Sequence, residues 1–212
     1  MQANKQLKII GMLGQKGGPG KTTIGVHIAV AAQEDGEVVG IADTDPQASA
    51  YTWVELRGDK LPPVACVEPN DIDSVIEAAR KSGATFLLID TAPHATTGAY
   101  HAVARADLIL IPCRPTMFDL ASIPKAVSIA EATKGKVAFI LNQCPASGEE
   151  VSAAREALES YGIPVAPVTL GLRKPFARAT NTGQAVTEFD PGGKAAAEIR
   201  ELWDWVKNMI AC

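Results

Sequence analysis

The sequence has four cysteines, Cys66, Cys113, Cys144 and Cys212, and no two stand at the close spacing of a metal-ligand pair. Neither a disulfide framework nor an iron–sulfur cluster finds a ligand set here, so a reduced, cytoplasmic chain with packed thiols is expected. No apolar run approaches the roughly 20 residues that span a bilayer, and no signal-peptide pattern precedes the first strand-like segment. No membrane association is expected. No Pro/Gly/Ser-rich linker or internal repeat divides the chain, which reads as one domain over 1–212. Positive charge is not in excess either. The 20 Lys and Arg stand against 24 Asp and Glu, a net charge of −4, which argues against general polyanion binding by the monomer.

What is present is a regular alternation. Hydrophobic residues make up 47% of the 212 positions, enough for a sizeable core. Strand-like runs recur near 7–13, 37–43, 85–90, 107–112, 136–142 and 164–168, and helical stretches such as 70–82, 118–133 and 149–161 separate them. This predicts an α/β fold, a doubly wound and mainly parallel sheet with helices on both faces. A further edge strand over 61–67 is weakened by Pro62 and Pro63.

The segment Gln15-Lys16-Gly17-Gly18-Pro19-Gly20-Lys21-Thr22-Thr23 lies between the first strand-like run and a helical stretch from Thr22 to Ala32. That is the setting of a phosphate-binding loop. Gly17, Gly18 and Gly20 let main-chain N–H groups approach phosphate oxygens, and the helix end adds favourable electrostatics. Lys21 is expected at the β/γ-phosphates, the Thr22 hydroxyl on Mg²⁺, and Thr23 beside it. The strict pattern begins with Gly where this chain has Gln15.

The run Lys16 to Thr22 resembles the deviant Walker A motif of the ParA/MinD family of ATPases. The resemblance implies a P-loop fold, ATP and ADP as ligands with Mg²⁺, and a homodimer that sandwiches two ATP molecules. It also implies that Lys16 crosses to the partner's phosphates, as an arginine finger does; the other reading is a solvated surface lysine. Asp43-Thr44-Asp45-Pro46-Gln47, just past a strand-like run, is similar to the family's Asp-x-Asp-Pro-Gln segment. By that resemblance Asp45 positions or activates the attacking water and Asp43 lies near metal and lysine; Asp43 also suits capping of the next helix. Phe86 to Asp90 reads as a Walker B strand, with Asp90 supporting Mg²⁺, and Thr91 to Thr97 as a switch loop. Asn142, at another strand end, is a candidate adenine contact by resemblance, or else a turn-stabilising Asn.

Arg173, Lys174 and Arg178 form the densest positive cluster after the loop and are candidates for DNA phosphates, with a solvated face or a nucleotide contact as alternatives. The C-terminal stretch from Lys194 to Ile210 is amphipathic, with Ile199, Leu202, Trp203, Val206 and Ile210 on one face. Acids balance its bases, so docking on the sheet is expected rather than MinD-like membrane binding. With only six residues ahead of the first strand, no N-terminal helix-turn-helix domain is expected. The resemblance is therefore to small plasmid-partition ParA proteins of the ParF-like type. It implies a nucleoid-associated ATPase whose dimer binds nonspecific DNA and whose hydrolysis is stimulated by a ParB-like centromere-binding partner. The rival expectations are positioning of a protein cargo such as carboxysomes, and a MinD-like membrane role.

Overall fold

The computed structural model describes residues 6–93 and 97–211. Its strands are β1 (Lys8–Met12), β2 (Val39–Asp43), β3 (Val64–Cys66), β4 (Phe86–Asp90), β5 (Leu108–Cys113) and β6 (Lys136–Leu141). They make one sheet in the order β3-β2-β4-β1-β5-β6, with every neighbouring pair parallel. The helices are α1 (Lys21–Glu34), α2 (Ser49–Arg57), α3 (Ile72–Lys81), α4 (Thr97–Val103), α5 (Met117–Leu120), α6 (Ile123–Glu131), α7 (Glu150–Glu159), α8 (Lys174–Thr180), α9 (Val186–Phe189) and α10 (Lys194–Ala211).

Both faces of the sheet are covered, which is why its central strands are apolar at successive positions rather than at alternate ones. Ile10, Met12, Leu88 and Leu110 pack in one layer with Ile24 and Ile28 of α1 and with Ile199, Leu202 and Val206 of α10. Ile9, Leu87, Ile89 and Ile109 pack in the other, against α3, α4, α6 and α7. Helix α10 thus buries its apolar stripe on the protein. Trp203 meets Phe86 edge-on, with ring centroids 5.2 Å apart, and its indole N–H donates to Asp35 at 3.0 Å. Each such buried side chain contributes about 1.5–3 kcal/mol. Trp205 is partly buried against the same core.

Two expected elements differ. The run 164–168 is no strand of the sheet: Phe139 N–H donates to the Pro164 carbonyl and Ala166 N–H to the Phe139 carbonyl, both at 2.8 Å, and the pairing stops at a single bridge. Pro164 and Pro167 lack the N–H groups that a longer ladder needs. The helix expected over 118–133 is two helices, because Pro124 cannot continue a helix from α5 but suits the first turn of α6. The proline-weakened edge strand does form, as the short β3.

Parallel register sets Met12 of β1, Asp90 of β4 and Asp43 of β2 side by side at their strands' carboxyl ends. This is the end at which open α/β sheets bind ligands.

Candidate active site

Residues 13–20 lead from β1 over the N-terminus of α1. Gly20 caps that helix with φ at +95°, and its carbonyl accepts the first helical bond, from Ile24 N–H at 2.8 Å. A Cβ on Gly20 would lie 2.3 Å from Asn142 Nδ2, so both backbone angle and space demand glycine. Lys21 is 6% exposed, its Nζ 3.4 Å from the Lys16 carbonyl. Burial pulls its pKa down, against the opposing pull of Asp90 and Asp45. Thr22 faces the sheet, donating its hydroxyl to Asp90 Oδ2 at 2.6 Å.

Asp90 is 1% exposed, and its second oxygen, Oδ1, has no hydrogen-bond partner among the described residues. Burial pushes its pKa up to about 7, and Asp43 adds to the rise while Thr22 and Lys21 oppose it. Thr44 donates its hydroxyl to the Asp90 carbonyl at 2.9 Å and Thr91 donates to the Met12 carbonyl at 2.6 Å, tying β2 and β4 to the loop's base. Asp43 is also buried, which raises its pKa, but its carboxylate accepts N–H bonds from Ala50 at 2.9 Å, Tyr51 at 3.2 Å and Asp45 at 3.1 Å. It therefore caps the start of α2 and fixes the turn that carries Asp45. Asp45 is half-buried, with Oδ1 accepting from Gln47 N–H at 2.9 Å. Of the expected switch loop Thr91–Thr97, residues 94–96 lie outside the described residues.

A cleft of about 400 Å³ opens beside the loop, lined by Thr23, Ile24, Asn142, Gln143, Leu172 and Phe176 among others. Asn142 is buried, and its amide donates to the Pro19 carbonyl at 2.7 Å, leaving its oxygen and second N–H for other partners. Arg173 also lines the cleft, with its guanidinium turned onto Glu198 of α10 at 2.6 and 2.9 Å. Lys174 and Arg178 on α8 are exposed. The structure thus separates the three basic residues: Arg173 is half-buried and ion-paired, whereas Lys174 and Arg178 are exposed.

Lys16 is folded onto its own chain. Its ammonium donates to the Phe118 carbonyl at 2.7 Å and sits 5.7 Å from the centre of the Phe118 ring. Met117 and Phe118 are 71% and 75% exposed, an apolar step beside the loop's mouth. Arg114 nearby is ion-paired with the buried Asp119. Gln143, not among the expected site residues, donates its amide to the Gly18 carbonyl at 2.9 Å. The available signal was two amides in succession where a strand ends level with the loop.

The donor set fits a hard divalent cation. A hydroxyl and a buried carboxylate whose second oxygen has no partner among the described residues converge below the glycine-rich loop, and hard cations take oxygen ligands. Thr22 and Asp90 would hold such an ion.

An all-parallel sheet with this loop and these acids at its carboxyl end defines a P-loop nucleotide-binding fold. The chain belongs to the CobQ/CobB/MinD/ParA nucleotide binding domain family, which it matches over residues 10–186, and is an ATPase of the ParA/MinD type. It is similar to the Maintenance of carboxysome distribution protein A of Gloeobacter kilaueensis, with 30% identity over 195 residues covering 90% of this chain and 88% of that protein. It is also similar to Protein IncC of Escherichia coli, with 28% identity covering 96% of this chain and 70% of IncC. Among solved structures, the septum site-determining protein MinD of Pyrococcus horikoshii, complexed with Mg-ADP, superposes with a TM-score of 0.75 at 20% identity over 95% of this chain and 96% of that one. At that identity the likeness bears on the fold alone.

Proposed function

We propose that this chain hydrolyses ATP to cycle on and off DNA as a dimer and thereby positions a protein cargo. The observation that carries the reading is Lys16: a second lysine at the mouth of a loop whose anion site already has Lys21, placed beside exposed Met117 and Phe118. A lysine that its own subunit does not need for phosphate fits a role across a dimer. There it would leave Phe118 and stabilise charge on the partner's transferring phosphoryl group. Lys21 and the Gly20 N–H would hold the phosphates, and Asp45 would orient the attacking water. A divalent cation held by Thr22 and Asp90 would neutralise phosphate charge. The ATP adenine fits the cleft lined by Asn142 and Phe176, and exposed Lys174 and Arg178 would reach DNA phosphates.

Cargo positioning is favoured by the similarity to the carboxysome distribution protein along nearly the whole chain. The second reading, plasmid partition with a ParB-like partner by a small ParF-like protein, is favoured by the similarity to IncC. A membrane role has less support, since α10 buries the apolar face that a bilayer would take. The test is DNA binding with Mg²⁺ plus ATP, ADP or no nucleotide, on unrelated duplexes across a salt series. ATP-only binding, indifferent to sequence and falling with salt by a slope of about −0.9 per phosphate contacted, is expected. Dimerisation without DNA binding in any state would reject the reading. Gene deletion scored by plasmid loss and by clustering of protein bodies separates the two cargoes.

A further inference from the structure

We infer that Gln143 is a positioning residue for the phosphate loop, gripping it jointly with Asn142 so that the loop presents N–H groups rather than carbonyls to the phosphates. The inference rests on the nucleotide reading above and adds a residue to it. Asn142 Nδ2 donates to the Pro19 carbonyl at 2.7 Å and Gln143 Nε2 to the Gly18 carbonyl at 2.9 Å, so two consecutive side chains hold two consecutive carbonyls. In a trans peptide the C=O and the following N–H point to opposite sides. Drawing the Pro19 carbonyl toward Asn142 therefore turns the Gly20 N–H the other way, at the head of α1. The Gly18–Pro19 unit carries no N–H, and its carbonyl is that unit's only polar handle.

Gly18 is exposed, so water could satisfy its carbonyl without help. The bond from Gln143 is thus not needed to solvate a buried group; what it supplies is direction. Backbone geometry points the same way. Gln143 has φ at +53°, a left-handed conformation that costs a non-glycine residue about 1–2 kcal/mol. It is held there on both sides, by Asn142 N–H donating to the Cys113 carbonyl and Cys144 N–H to the Leu170 carbonyl, each at 2.9 Å. A non-glycine residue in this strained conformation, which lines the cleft and bonds the loop through its amide, is one whose side chain is in use. The same two amides therefore join the cleft to the phosphate loop.

The experiment uses the full chain with Gln143→Gly and Gln143→Glu. Glycine adopts φ +53° freely, so it deletes the amide while relieving the backbone; glutamate keeps the length but sets an acceptor against the Gly18 carbonyl. Tripolyphosphate with Mg²⁺, and separately adenosine, compete against a fluorescent ADP analogue, and thermal unfolding is followed without ligand. The expected result is that Gln143→Gly unfolds at or above the wild-type temperature yet binds tripolyphosphate about three- to tenfold more weakly, the worth of one hydrogen bond. Gln143→Glu is weaker still, and adenosine binding is unchanged. Equal losses for adenosine and tripolyphosphate would make Gln143 a base contact and overturn the inference, as would wild-type tripolyphosphate affinity in both variants. Wild-type protein that binds neither probe would instead reject the nucleotide reading itself.

Discussion

His27 lies about two turns behind the phosphate loop on α1, fully buried, and burial drives its pKa from 6.5 to about 3. Its Nδ1 accepts the Val186 N–H at 3.2 Å, so the neutral ring carries its hydrogen on Nε2, which has no partner among the described residues. A second proton would have to sit on Nδ1, against that N–H. Glu188 favours the charged ring, but its carboxylate is engaged by Arg57 at 2.7 and 2.8 Å. The sign follows from linkage. The folded pKa lies below the unfolded one, so the unfolded chain binds the extra proton and stability falls as pH drops below 6.5. Each pH unit in that window costs about 1.4 kcal/mol, so moving from about pH 7.5 to about pH 5 removes roughly 2 kcal/mol through this one residue. For a chain of this length that is about 4–8 °C in Tm.

Thermal unfolding of wild type and His27→Asn at the two pH values isolates this effect. The asparagine oxygen can still accept the Val186 N–H but does not titrate. The variant loses the ring contact with Phe176, whose centroid is 5.3 Å away, and is therefore less stable at both pH values. The readout is the difference between the two acid shifts, in which every other titrating group cancels. An acid loss as steep in His27→Asn as in wild type would refute the argument.

Lys16→Ala removes a side chain bonded to one exposed carbonyl, so its fold is expected to stay within about 0.5 kcal/mol of wild type. It should retain ATP binding and lose hydrolysis and ATP-dependent dimerisation, measured by phosphate release and sedimentation; normal turnover by a monomeric variant would defeat the trans role. Gly20→Ala, forced into a left-handed angle with its Cβ against Asn142, should lose at least about 1–2 kcal/mol in denaturant unfolding and most of its tripolyphosphate binding. Gly17→Ala, where a Cβ meets nothing within 4 Å, is the matched control and should unfold like wild type.

The sheet was legible because each central strand is a short apolar run ending at a polar or glycine-rich turn, and burial on both faces requires that pattern. Leu7 to Leu13 and Phe86 to Asp90 show it plainly. The run at 164–168 shows it too, and misleads, because apolarity says nothing about the two missing proline N–H groups. The loop and the acids Asp43, Asp45 and Asp90 are recognisable because their chemistry depends on residue type at short spacing. Gln143 left only the signal of a second amide after Asn142, since its contact with Gly18 spans 125 residues and depends on which strand ends beside the loop. The pairing of Arg173 with Glu198 was hidden for the same reason, as the charge of a cluster does not reveal which member is already neutralised by a distant acid.

The distribution of strain and charge around the loop indicates what is free to change. Pro19 and Gly18 are held by two amides, α1 is buried along most of its length, and Arg57 clamps the far end of α2 to Glu188 and to the Gly183 and Leu61 carbonyls at 2.7–2.9 Å. Those parts are over-determined and favour one geometry. Lys21, Asp43 and Asp90, by contrast, are buried charges whose shifted pKa values mark unfavourable surroundings, and Asp90 keeps an oxygen without a partner among the described residues. A site with a rigid frame and uncompensated charge gains most from a ligand that supplies the missing charges, and its frame need not move to accept it. The groups with the least to hold them are the Lys16 ammonium, on one exposed carbonyl, and the exposed turn at 46–47 beyond Asp45. In the function proposed above, both would flank the γ-phosphate. On that reading a change of nucleotide would be read out at the Lys16 side chain and at the turn after Asp45, where small differences in contact energy decide the conformation, and not in the loop backbone that Asn142 and Gln143 hold.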